Sequence, residues 1–269
     1  MRKHFLFFAL AACVGTLSCK KQDVSTTAPA SEISSVTLGK IKSLGFSTSG
    51  VVKTDAGYLV EGDITLTDEL LNSNNNQQLL RIAETEQYRT TNLVSAPRTI
   101  KIKVSNLGTA YVSGTDLAIS RYNALGLTLT FTRITSGTAD ITIKGFNQGP
   151  SGGYITLGSS GFPSGGKPYG TIQMNTNSQA YGSNPDVNYV GSVIQHELGH
   201  CIGFRHTDYM NRSYSCGGAA TNEGASNIGA ILIPGTPSGP DANSWMLACS
   251  NGGNRTFNAN DKVALQYLY

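Results

Sequence analysis

HELGHCIGFRHTD, residues 196–208, decides how the rest of the chain is read. On an α-helix, residues four apart share one face a single turn from each other, so His196 and His200 can offer their imidazoles to the same ion. A catalytic zinc site usually takes three protein ligands and keeps a fourth position for water, and His206 is the available third. For His206 to face that ion the helix must stop and the chain turn back sharply. Gly203 tolerates the positive φ that such a turn commonly needs. Glu197, beside the first ligand, is placed to take a proton from water on the ion. Three of the chain's four histidines lie in this stretch, and the fourth, His4, falls in a leader expected to be lost on export. An ordinary amphipathic helix with buried histidines accounts for neither the glutamate nor the glycine at these spacings.

The pattern HExxHxxGxxH resembles the metzincin clan of zinc endopeptidases. The longer run HCIGFRHTDYMNRSYSCGG, residues 200–218, is similar to the dual-action HEIGH metallopeptidases of the myxobacter-protease type. The resemblance covers roughly residues 33–269 and is tightest over 193–249. It implies an α+β zincin fold: a twisted mixed sheet with an edge strand that binds substrate backbone, a zinc helix, and an irregular lower subdomain with a closing helix. It also implies a zinc endopeptidase, with Zn2+ held by His196, His200 and His206, Glu197 as general base, and a protein or peptide substrate. SWM at 244–246 resembles the metzincin Met-turn, in which Met246 would form an apolar floor under the imidazoles. Astacin- and serralysin-like members carry a tyrosine two residues further on, where this chain has Ala248, so that auxiliary ligand is absent.

Composition sets the bounds. A chain of 269 residues can bury a sizeable core, and 14% charged residues with 31 glycines suggest a loop-rich exported protein. The formal charge of +3 falls to +1 once Arg2 and Lys3 leave with the leader, so nucleic acid has no electrostatic support as a partner. Residues 1–18 read as a lipoprotein signal: a basic start, then an apolar run too short and interrupted to span a membrane. Cys13 and Cys19 both offer a lipidation point, and Cys19 is preferred because it ends the apolar run. A tether over 19–32 follows. The expected product is a monomer exported to the bacterial cell envelope and attached to the membrane only through lipid, or a soluble secreted form.

Residues 33–96 are expected to form an N-terminal pro-segment-like domain, and 97–269 the zinc metallopeptidase domain, divided at Ala96–Pro97. In the first, GYLVEGDITLTDELL alternates as strands do and turns helical from Thr67, and QQLLRIAETEQY (77–88) suggests a second short helix. In the second, RTIKIKVS (98–105) alternates as a strand. A helix is expected over 113–126, capped near Ser113 or Thr115. LTLTFTRI, ADITIKGF and YGTIQMNT (169–176) follow as β-rich runs. YGTIQMNT stands where the substrate-binding edge strand belongs, or else is a buried central strand. The glycine-rich stretch before it reads as a rim loop. The zinc helix should start between Asn184 and Asn188 with Cys201 on its core side, and Asn258 should cap a last helix.

Two more readings concern single residues. Outside the leader and Cys19 there are three cysteines, and an exported chain favours oxidation. With Cys201 facing the core, a Cys216–Cys249 bridge is expected. Val60-Glu61-Gly62-Asp63 is similar to the F-x-G-D motif of astacin-type zymogens, which makes Asp63 a candidate latency ligand on zinc, released by cleavage near residues 89–98. A Gly-Asp turn in a small domain is the plainer reading. A cell-wall lytic amidase or peptidase would use the same zinc chemistry. A surface binding module with a structural metal is a third possibility, but a closed structural site needs no base at Glu197.

Overall fold

The computed structural model of the chain describes residues 33–72, 87–220, 222–224, 229–237 and 239–269. The leader, Cys19, the tether, and the helix expected over 77–88 up to residue 86 lie outside them.

The N-terminal piece begins with α1 (Ser35–Ser43), whose first turn is capped by the Ser34 side chain accepting the Thr37 amide. β1 (Val52–Thr54), β2 (Gly57–Val60) and β3 (Ile64–Leu66) form an antiparallel meander, and α2 (Asp68–Asn72) follows with Asp68 and Glu69 in its first turn. Ile41, Leu44, Phe46, Val60, Ile64, Leu66 and Leu71 bury against one another and against Phe162, which comes from the main body. About 40 residues make too small a core to stand alone, and here the partner body closes it.

The main body starts earlier than the expected division at Ala96–Pro97. β4 (Tyr88–Arg89) pairs with residues 231–232, the Thr90 amide donates to the Gly203 carbonyl, and Val94 lies in the main core. Residues 33–269 pack as one unit. The cut expected near 89–98 would therefore fall within the main body.

β5 (Arg98–Val104) buries Ile100 and Ile102 and exposes Thr99 and Lys101, as its alternation requires. α3 (Thr109–Asn123), β6 (Leu129–Arg133) and β7 (Ile141–Phe146) follow. α3 starts well before Ser113 because Gly108 caps it without any side chain, leaving no letter to mark the start. β8 (Gly158–Ser159) and β9 (Thr171–Asn175) complete a five-stranded sheet in the order β6-β5-β7-β9-β8. Four strands are parallel and β8 runs antiparallel to β9. The strand in YGTIQMNT is thus interior, with Ile172 and Met174 fully buried, and the edge belongs to β8. Within the glycine-rich loop, Gly158 and Ser159 fold back to pair with Met174 and Gln173 of β9.

α4 (Ser178–Tyr181) leads to α5 (Val187–Ile202), which crosses α3 so closely that a β-carbon on Gly114 would sit 3.0 Å from the Gly191 nitrogen. α6 (Ser213–Cys216), β10 (Ile231–Leu232) and α7 (Ala259–Leu268) are the regular elements of an otherwise irregular lower part. The architecture is α+β, a mixed five-stranded sheet with α3 and α5 packed against each other beside it.

Candidate metal centre

α5 carries His196, Glu197 and His200. Its start is fixed by Asp186, whose Oδ1 accepts the Tyr189 amide at 2.8 Å, so Pro185 stands just outside the helix. Its end is fixed by Gly203, left-handed at φ 114°, where a β-carbon would also lie 2.8 Å from the Asn92 carbonyl oxygen. The turn brings His206 back. Its ring centroid lies 5.4 Å from that of His196 and 4.8 Å from that of His200, and the Nε2 atoms of His200 and His206 are 3.2 Å apart.

Each imidazole is oriented from behind. Nδ1–H of His196 donates to the Trp245 carbonyl at 2.9 Å, that of His200 to the Phe204 carbonyl at 2.9 Å, and that of His206 to the Glu223 carboxylate at 3.1 Å. A ring that donates through Nδ1 keeps a lone pair on Nε2, the form a metal needs. His196 Nε2 is buried without a hydrogen bond, and the three rings and an Asp63 oxygen converge within 4.8 Å. These residues fit a divalent cation of the imidazole-binding kind.

The floor is the 244–246 turn. Met246 is fully buried, and its sulfur and the Trp245 ring fill the space over Gly199, where a β-carbon would meet them at 2.6 and 2.3 Å. The Thr207 amide donates to the Met246 carbonyl. Asp261, in the capping box that Asn258 makes at the start of α7, accepts from the Trp245 amide, Ser244 Oγ and Gln87 Nε2. Burial pushes the Asp261 carboxyl up to about 7 against the pull of these donors.

Glu197 is buried, with Oε2 accepting from Ser160 Oγ at 2.7 Å. Burial, reinforced by the charge of Asp63, pushes its pKa well above the ordinary range, while Ser160 pulls it back. A β-carbon on Gly158 would lie 3.0 Å from Oε1, so β8 passes close to this carboxylate only because that residue is glycine.

Asp63 reaches the same point from the N-terminal piece. Its Oδ2 lies 3.1 Å from His206 Nε2 and 3.5 Å from His196 Nε2. Although burial opposes it, the imidazoles of His206 and His196 hold the Asp63 carboxyl well below its usual value. The segment around it lies along β8. The Ser160 amide donates to the Asp63 carbonyl at 2.9 Å, the Thr65 amide to the Ser160 carbonyl at 2.7 Å, and Thr156 Oγ1 to the Gly62 carbonyl at 3.0 Å. The bridge between Ile64 and Ser160 is parallel. Beside it, Arg205 is wholly buried, with Nη2 3.5 Å from Glu61 Oε2 and 3.9 Å from Glu223 Oε2. Burial and the charge of Glu223 push the Glu61 carboxyl up, against the pull of Arg205.

Cys216 and Cys249 are joined by a disulfide with Cα atoms 5.1 Å apart, tying α6 to the segment just past Met246, and Cys201 is a buried free thiol. The Ala248 amide donates to Asp208 Oδ1 at 2.9 Å. The sequence reading missed Ser160 and Glu223. Ser160 carries no local signal. Glu223 carries none either, although it is the only glutamate after Glu197.

The model of a family described as dual-action HEIGH metallo-peptidase matches residues 58–269. No curated protein matches. Among solved structures, one of myroilysin is similar at 14% identity, covering 64% of this chain and 80% of that chain with a TM-score of 0.39. A second structure of myroilysin is similar at 16% identity, covering 64% and 83% with the same TM-score of 0.39.

Proposed function

This chain belongs to the dual-action HEIGH metallopeptidases, and from that premise we propose that it is a zinc-dependent endopeptidase with Glu197 as its general base. The observation that carries the reading is the set of three imidazoles, each committed through Nδ1 to a fixed acceptor and each turning Nε2 to one point. His196, His200 and His206 would hold the ion. Zinc bound there supplies Lewis acidity, polarising a scissile carbonyl and acidifying water.

The remaining chemistry belongs to the chain. Glu197, steadied by Ser160, receives a proton at its carboxylate from the attacking water and returns it to the leaving amine. The Trp245 carbonyl, the Phe204 carbonyl and Glu223 fix which nitrogen of each histidine carries the proton. The edge at β8, where Ser160 just past the strand already holds residues 63 and 65 through backbone hydrogen bonds, would hold an extended substrate in the same way.

In the uncut chain Asp63 would join the three histidines in holding the ion and so keep the enzyme latent; its distances to His206 and His196 support this. Attachment of the exported chain through lipid on Cys19 belongs to the same proposal, supported by the apolar leader and by the disulfide, which suits an oxidising compartment. Among the described residues no helix is long and apolar enough to cross a membrane.

Mass spectrometry of a protein mixture incubated with the chain, after loss of its N-terminal piece, tests the proposal. Internal cleavages that stop on chelation and return with zinc are expected. No cleavage, or cleavage that survives chelation, overturns it.

A further inference from the structure

Residues 61–65 lie in the cleft and are held there through their backbone. Thr156, Ser160 and Arg212 hold their backbone, Arg212 by donating to the Glu61 carbonyl, while Asp63 reaches the histidines. The residue two places before Asp63 therefore reports what the cleft accepts beside the metal centre. Glu61 has φ 55°, a conformation that a side chain with a β-carbon disfavours, and it is followed by Gly62 at φ 90°. This sharp turn sends the Glu61 carboxyl inward to Arg205.

Arg205 sits under the rings of Phe46 at 4.8 Å and Tyr209 at 5.6 Å, and its buried Nε has no hydrogen-bond partner. Phe46 and Glu61 both come from the N-terminal piece. Once that piece leaves, two guanidinium groups, Arg205 and Arg212, stand against the single carboxylate of Glu223, with one positive charge in excess next to His206. A guanidinium lined up in a protein wall with open donors is best satisfied by a carboxylate, which matches its planar fork.

We infer that Arg205, with Arg212 at its mouth, forms an acid-reading subsite beside the metal centre. It takes the side chain of a glutamate in a peptide substrate, and Glu61 fills it in the uncut chain. The inference deepens the peptidase reading and rests on it for the word substrate. The carboxylate site itself does not depend on catalysis.

Two measurements test it. In the full chain, Glu61→Ala leaves a hollow at Arg205. Propionate should raise the unfolding temperature of that variant, whereas propionamide, of the same shape, should not, and neither should stabilise the parent. Equal effects of the two compounds on the variant, or no effect of either, overturn the carboxylate site. In the chain after proteolytic loss of the N-terminal piece, checked by mass, peptides differing only in Glu against Gln at one position should differ about tenfold in kcat/KM, the order expected for a hydrogen bond between charged groups. Arg205→Met should erase that preference, so that the Glu and Gln peptides are cut alike. Equal cleavage of the Glu and Gln peptides at every position of a scan overturns the inference and leaves the peptidase reading standing. Cleavage of no peptide at all overturns the peptidase reading, and the propionate result then decides the carboxylate site alone.

Discussion

Two pieces of the molecule meet at the three imidazoles, and different forces hold them there. α5 and the Met246 turn are set by the main core: Val190, Ile194, Leu198 and Cys201 bury one face of the helix, Trp245 packs among Tyr122, Phe204 and Phe257, and caps fix both helix ends. The N-terminal piece reaches the same point on a small core that borrows Phe162, with its last few ångströms spanned by hydrogen bonds and buried charges. A site placed by a large core keeps its geometry when its neighbour goes. A plug held by polar contacts to that site can be exchanged for another peptide that offers the same groups.

The largest expected effect breaks the chemistry and leaves both pieces in place. Glu197→Gln should lower peptide hydrolysis by ~10²- to 10⁴-fold while metal content is kept, since in the proposed reaction Glu197 acts on water and does not ligate. Hydrolysis within a few fold of the parent would remove Glu197 from its role. Glu223→Gln separates the two pieces more finely, because Glu223 touches both His206 and the arginines that face Glu61. Its loss should weaken metal binding by ~10- to 100-fold in competition with a chelator, as for other groups that orient a ligating histidine. Unchanged affinity would assign Glu223 to the docked segment alone. Asp63→Ala acts only on the plug, and should raise the peptidase activity of the uncut chain several-fold. Equal activity of parent and variant, with the N-terminal piece shown intact by mass, would sink the latency reading.

The smallest effect tests how the floor is braced. Burial raises Asp261 to about 7, so the folded chain holds a proton there that the unfolded chain releases at the ordinary carboxylate value. The stability this group contributes is present below about pH 4 and is lost as pH rises toward 7. Asp261→Asn should flatten that part of the stability profile in denaturant unfolding, though it weakens the turn at every pH. Identical slopes for parent and variant would show Asp261 ionised throughout.

The contrast between the two pieces also explains what could be read from sequence. The histidine spacing, the stop at Gly203, the cap at Asn258 and the core side of Cys201 depend on residues within a turn or two of each other, and local geometry decides them. Ser160 reaches Glu197 across 37 residues, and Glu223 reaches His206 across 17, so no local pattern announces either. The edge strand was misplaced because β8 is two residues long and exists only where a loop folds back on β9. The start of α3 was set too late because Gly108 gives no side-chain cap, and the division at Ala96–Pro97 because Tyr88–Arg89 finds its partner at residues 231–232. Glu61 drew no notice as a residue of its own, since only its partners make it more than a neighbour of Asp63.

Three core-placed histidines are proposed to hold one metal ion, and native mass spectrometry of the intact chain measures its metal content. About one zinc per chain is expected in the parent, in Glu197→Gln and in Asp63→Ala, and its loss in His206→Ala and His200→Ala. A parent chain that takes up no zinc, or His206→Ala and His200→Ala variants that hold it as firmly as the parent, would contradict the proposal.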